Sequence, residues 1–186
     1  RDTLKDFFVK YEKPRSRGLA GKSVMILDGT VPDQEFRALF IHEFGHITDL
    51  GCLSGTRDSG DSGFRDGNDV MYNNDPSVSF YRISWVNSYV QKSDVDPEDF
   101  VSGYAKHDVF EDFAESFAYF VLHNESFKKR AESNTALAAK YRWFQTNLFN
   151  IKPSCASTSK KWTGGVPWDI TKLPYFWHPN SQIARQ

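Results

Sequence analysis

His42-Glu43-Phe44-Gly45-His46 places two histidines four residues apart with a glutamate directly after the first, an H-E-x-x-H pattern. On a helix, residues i and i+4 share a face, so both imidazoles can reach one metal ion. Glu43 is rotated about 100° from His42, which sets its carboxylate beside that ion, where it can take a proton from water. The flanking residues predict the helix itself. Thr30 suits its N-cap, Pro32 its first turn, and Asp33 and Glu35 the positive end of its dipole, while Gly51 is the expected stop. A core helix with merely packed histidines is the alternative, but the complete five-residue pattern favours a zinc site.

A catalytic zinc takes three protein ligands and keeps a fourth position for water. The metzincin continuation, with Gly and His further along the same segment, fails because Asp49 and Cys52 stand there. The remaining source is a glutamate on another helix. Glu111-Asp112-Phe113-Ala114-Glu115 offers two carboxylates four apart on one face of a Phe-rich helix. Two such acids repel each other and resist burial unless a cation joins them. One is then expected to ligate zinc and the other to accept the N–H of a ligating histidine. Their order is open from spacing alone.

The bulk properties set the surroundings. A chain of 186 residues suits one domain with a sizeable core. Its 23 basic and 24 acidic residues leave a net charge of −1, which predicts no attraction to nucleic acid or to an anionic membrane. No apolar run is long enough to span a bilayer. Arg1 stands where a start methionine would, so a trimmed or processed chain is expected, from which any signal peptide is already gone. Cys52 and Cys155 have no metal-ligand spacing; they are expected to pair as a disulfide in an oxidising compartment or to stay as two thiols.

Along the chain, Leu4, Phe7, Phe8 and Tyr11 predict a short amphipathic helix over residues 3–12. The run from Ser23 to Leu27 predicts a strand, either an ordinary packing strand or one whose edge receives an extended substrate. Residues 51–75, rich in Gly, Ser and Asp, predict a mobile loop beside the site. Asp58, Asp61, Asp66, Asn68 and Asp69 could ligate calcium, the alternative to a plain loop, although they lack the spacing of a calcium loop. Residues 77–90 read as helical or mixed, and Asp94–Asp99 as a polar turn. A helix from Asp108, its N-cap, to about His123 is predicted with Asn124 as its stop, and another from Thr135 to Asn150. Residues 151–186, with their prolines and Trp162, Trp168 and Trp177, predict an irregular aromatic-rich tail. His107, His123 and His178 are expected to be surface or structural residues, and Asn124-Glu125-Ser126 matches a glycosylation acceptor.

The two histidines followed by Glu111-x-x-x-Glu115 resemble the gluzincins, the thermolysin-like branch of zinc metallopeptidases. Within them the chain more closely resembles the anthrax lethal factor catalytic domain and the bacterial Pro-Pro endopeptidases. In that group a tyrosine precedes the zinc glutamate by seven residues, as Tyr104 precedes Glu111, and the motif carries an aromatic, a Gly and a later acid, as do Phe44, Gly45 and Asp49. The similarity covers about residues 20–125 and departs in the long Gly/Asp loop. It implies that His42, His46 and Glu111 hold Zn2+, that Glu115 supports a ligating histidine, that Glu43 is the general base and that Tyr104 stabilises an oxyanion.

The expectation is a single α+β zincin-like domain over residues 1–186, mostly helical with a small sheet, in which a strand and the His42–His46 helix face a helical part carrying Glu111. The expected activity is that of a secreted or extracytoplasmic, monomeric zinc endopeptidase acting on peptides or proteins, with no nucleic-acid or membrane partner. The rivals are an inactive or toxin-like zinc-binding module on a peptidase scaffold and a zinc hydrolase of non-peptide amides. Glu43 argues against the inactive module, since a structural site has no use for a base.

Overall fold

The computed structural model describes residues 4–12 and 17–148, which form a mixed α+β arrangement of five α-helices and two small sheets. β1 (Asp6–Lys10), β2 (Gly18–Gly21) and β3 (Val24–Asp28) form the first sheet, in the order β1-β3-β2. β3 runs parallel to β1 and antiparallel to β2. The strand expected at Ser23–Leu27 is therefore central, and both its edges are taken. The helix expected over residues 3–12 is instead a strand. Phe7, Phe8 and Val9 are good strand formers, and pairing with β3 overrides a short helical pattern. Phe7 turns to Phe40, with ring centroids 5.8 Å apart.

Met25 and Leu27 of β3 are fully buried among the core residues, and the sheet packs on α1 (Asp33–Ile47). Thr30 does not cap α1. Its N–H and hydroxyl both donate to Asp28 Oδ1, at 2.8 and 2.6 Å, closing the turn after β3. Pro32 occupies the cap position without a side-chain bond, and its carbonyl accepts from Phe36 N–H at 2.8 Å. Nor does Gly51 stop the helix. The chain continues through a wider π-type turn, Thr48–Cys52, before Leu53 becomes extended. Gly51 is needed there for space, since a Cβ would lie 1.9 Å from the Lys22 carbonyl oxygen.

The expected mobile loop contains a hairpin, β4 (Asp61–Asp66) and β5 (Asp69–Tyr72). Phe64 and Met71 anchor it in the core, and Gly67 at its tip takes a left-handed φ of 57°. Three of its Asp side chains form ion pairs: Asp61 with Arg65, and Asp66 and Asp69 with Lys22 of the β2–β3 turn. α2 (Pro76–Ser84) follows, capped by Asp75, which accepts from Ser77 N–H at 3.0 Å. The expected polar turn becomes a 3-10 turn at Pro97–Asp99.

α3 (Val109–Leu122) starts where expected. The Asp108 carboxylate accepts from the N–H groups of Phe110 and Glu111, both at 2.9 Å. Asn124 does not end it. His123 leaves the helical region, and Asn124 opens a further helix, α4 (Asn124–Ala131). The Asn124 amide is buried, donating to Phe120 O at 3.1 Å and accepting from the Tyr141 hydroxyl at 2.9 Å, which removes it as a glycosylation acceptor in the folded chain. α5 (Thr135–Asn147) returns along α2 and α4. Phe80, Phe113, Trp143 and Phe144 form the aromatic centre between α2, α3 and α5, with ring centroids 5.2–5.6 Å apart.

Lys140 of α5 is fully buried. Its Nζ bonds both Asp112 oxygens, at 2.9 and 2.8 Å, and the Asp99 carbonyl at 3.0 Å, and lies 4.2 Å from the centre of the Phe100 ring. Trp85 Nε1 also donates to Asp112, at 2.9 Å. The far side of α3 is thus fixed by charge as well as by rings. No helix among the described residues is long and apolar enough to cross a membrane. The expected tail, Cys155 and His178 lie outside the described residues.

His123 is buried at the α3–α4 junction, stacked on Tyr119, and burial pushes its imidazole down to about 4. The unfolded chain then binds more protons than the folded one between pH 4 and 6.5, so stability falls as pH drops through that window. The His123 contribution is at most about 3 kcal/mol. His123→Phe is expected to flatten that decline, measured as urea midpoints from pH 7 to 4. An unchanged slope would place its origin elsewhere.

Candidate metal centre

α1 and α3 cross at Gly45 and Ala114. A Cβ on Gly45 would stand 2.9 Å from the Ala114 Cα and 3.3 Å from its Cβ and carbonyl oxygen. With only hydrogen at position 45, the helices approach closely enough for His42 and His46 to meet Glu111 and Glu115. His42 Nε2 lies 3.2 Å and His46 Nε2 3.6 Å from Glu111 Oε2. One donor atom from each of these three residues falls within 4.8 Å of the others, which makes them a group able to hold a metal ion.

The fit to zinc rests on Glu111 Oε2. This oxygen is buried, faces two imidazole nitrogens and has no other hydrogen-bond donor among the described residues. Two imidazoles and one carboxylate form a common donor set for a zinc that keeps a position open. Burial alone would raise the Glu111 carboxyl, yet its contacts with His42 and His46 hold it well below the usual carboxylate range. Burial would likewise lower His42, but bonds to Glu111 and Glu115 raise it well above its ordinary value.

Glu115 takes a different place. Its Oε1 lies 2.7 Å from His42 Nδ1, and its Oε2 accepts from the Ser102 hydroxyl at 2.7 Å. With Nδ1 facing this carboxylate, Nε2 is the atom of His42 turned to the candidate metal position. The Ser102 oxygen also accepts from Ala105 N–H at 3.0 Å, so the same side chain braces the 3-10 turn Tyr104–Lys106. Tyr104 lies beside the centre, and its hydroxyl donates to Glu111 Oε1 at 3.1 Å. Burial, then the Glu111 carboxylate, pushes its phenol well above the ordinary tyrosine value. His107, surface-exposed as expected, packs its ring at a tilt against Tyr104, with centroids 4.9 Å apart.

Glu43 is buried, and burial raises its carboxyl against the opposing effect of His42 and His46. It points towards β2, whose Ala20 N–H donates to it. Asp49 is fully buried and accepts from the Tyr81 hydroxyl at 2.6 Å; burial pushes it up to about 7. All six expected site residues are therefore gathered where α1 meets α3. Sequence reasoning missed Ser102, whose only signal was a hydroxyl two residues before Tyr104, and the contact between β2 and Glu43, which has no local signal.

Comparison with models of protein families, with curated proteins and with solved structures returned no significant match.

Two outcomes follow from this geometry. Glu111→Ala is expected to lose zinc almost completely, whereas Glu115→Ala weakens it by roughly 10–100-fold, as for other groups that orient a ligand. Zinc titration of both variants checks the ranking, and the reverse order would exchange their roles. Gly45→Ala, which leaves every ligand intact, is expected to cost about 1–3 kcal/mol of stability through overpacking. It should also lower zinc affinity; unchanged affinity and melting temperature would show that the crossing tolerates a methyl group.

Proposed function

We propose that the chain is a zinc-dependent endopeptidase of gluzincin type with a zincin-like fold, in which His42, His46 and Glu111 hold the metal. The observation that carries this reading is the meeting of those three donors around the buried Glu111 oxygen, with a second carboxylate, Glu43, directly adjacent in the chain. A purely structural zinc prefers four protein ligands and needs no neighbouring base. Zinc, when bound, supplies Lewis acidity that polarises a carbonyl and acidifies water.

The protein's own groups do the rest. Glu115, braced by Ser102, keeps His42 in one orientation. Glu43 takes a proton from the attacking water and returns it to the leaving amine. Its raised affinity for protons, caused by burial, suits a group that must hold that proton between the two steps. Tyr104 exchanges its bond to Glu111 for one to the oxygen that becomes negative in the tetrahedral intermediate. Among the described residues the unpaired edge near Glu43 belongs to β2, not to the central β3; its Ala20 N–H serves Glu43, and its other outward backbone groups are offered to an extended peptide.

A monomeric enzyme working outside the cytoplasm belongs to the same reading. A Cys52–Cys155 disulfide, seen by mass spectrometry of unreduced protein, would support that location. The deciding test is hydrolysis of a mixed peptide library with and without a chelator. Glu43→Gln is expected to keep its zinc and lose on the order of 10²–10⁴ in turnover. Wild-type turnover by that variant would remove Glu43 from the mechanism, and a wild-type chain that binds zinc but cleaves nothing would leave a binding module.

A further inference from the structure

Among the described residues, β2 has one unpaired edge. The Arg17 carbonyl accepts from Asp28 N–H at 2.8 Å, so alternate residues Arg17, Leu19 and Gly21 bond towards β3. The N–H groups of Gly18 and Ala20 then face the free edge, and that of Ala20 reaches the Glu43 carboxylate. Gly18 lies against the same side chain. A Cβ there would stand 2.1 Å from Glu43 Oε1, 2.7 Å from Cδ and 2.9 Å from Cγ. Three successive atoms would clash, so a small swing of the carboxylate does not relieve the contact. Gly18 is not among the glycines with a left-handed φ, so its backbone conformation makes no demand for glycine. The space occupied by Glu43 does.

We propose that Gly18 is a positioning residue for Glu43. The missing side chain at 18 opens the path along which the Glu43 carboxylate leaves α1, and Ala20 N–H fixes its end. A methyl group at 18 displaces that carboxylate while leaving His42, His46 and Glu111 in place. The catalytic consequence rests on the peptidase reading; the contact itself does not.

The test uses the zinc-loaded wild-type chain, Gly18→Ala, Glu43→Ala and the double variant. Thermal unfolding of the four is expected to show Gly18→Ala lowering the melting temperature on the order of 5 °C when Glu43 is present, and by less than half as much beside Glu43→Ala. Equal losses in both backgrounds, or failure of both position-18 variants to fold, would overturn the contact. Failure of Gly18→Ala alone, with the double variant folded, supports it. In peptide hydrolysis Gly18→Ala is expected to keep one zinc per chain, to hold KM within about twofold and to lose roughly 10- to 100-fold in kcat. Undiminished kcat overturns the proposal. If the wild-type chain itself cleaves no peptide, the peptidase reading fails, and the unfolding comparison still decides the contact between Gly18 and Glu43.

Discussion

The close crossing of α1 and α3 at Gly45 and Ala114 is the constraint on which the site depends. Candidate ligands such as His46 and Glu111, 65 positions apart in the chain, can share an ion only if their helices meet at the right height and distance. A glycine facing an alanine sets that distance, because no side chain at 45 holds the backbones apart. Two further close approaches bear on the same segment. β2 lies on Glu43, and the β2–β3 turn lies on Gly51. Side chains hold the rest of the helix: Phe40 meets Phe7 of β1 and Phe44 meets Phe117 of α3, with ring centroids 5.8 and 6.4 Å apart.

α3 answers with charge on two sides. Towards α1 it presents Glu111 and Glu115, and towards α5 it presents Asp112, fully buried against Lys140. Breaking a buried pair of this kind by removing one partner typically costs about 3–5 kcal/mol, because the remaining charge stays in the core uncompensated. The same helix packs Phe113 and Phe117 against α5 through Phe144, at 5.3 and 6.1 Å between ring centroids. Rotation of α3 would therefore disturb the metal face, the ion pair and the aromatic centre together.

Much of the site was legible because its chemistry is written at helical spacing. The i,i+4 histidines and the i,i+4 glutamates lie where a 3.6-residue period puts them, and the Asp108 cap was visible one residue before its helix. What misled were short-range patterns that tertiary pairing overrules. Phe7 and Phe8 looked like a helical stripe but form a strand because β3 offers a partner. The glycines and aspartates of residues 51–75 looked like a loop, yet Phe64 and Met71 hold Asp61–Tyr72 of that stretch in a hairpin. Gly51 and Asn124 carried the composition of stop signals, but one serves a close contact and the other a buried amide network. Lys140 gave no warning, since a lysine on a helix is ordinarily solvated.

Ser102 joins two parts of the centre that chemistry would treat as separate. Its single oxygen donates to the carboxylate that orients His42 and accepts from the backbone of the turn that carries Tyr104. Over evolutionary time, the aim of the imidazole and the height of the phenol are therefore not independent traits. A drift at position 102 that drops the hydroxyl strands a buried acceptor and a backbone donor in one step. Only Thr preserves both bonds among the common replacements, provided its extra methyl fits a site that is already buried. Lineages that vary the turn around Tyr104 should thus be found to vary the support of His42 with it.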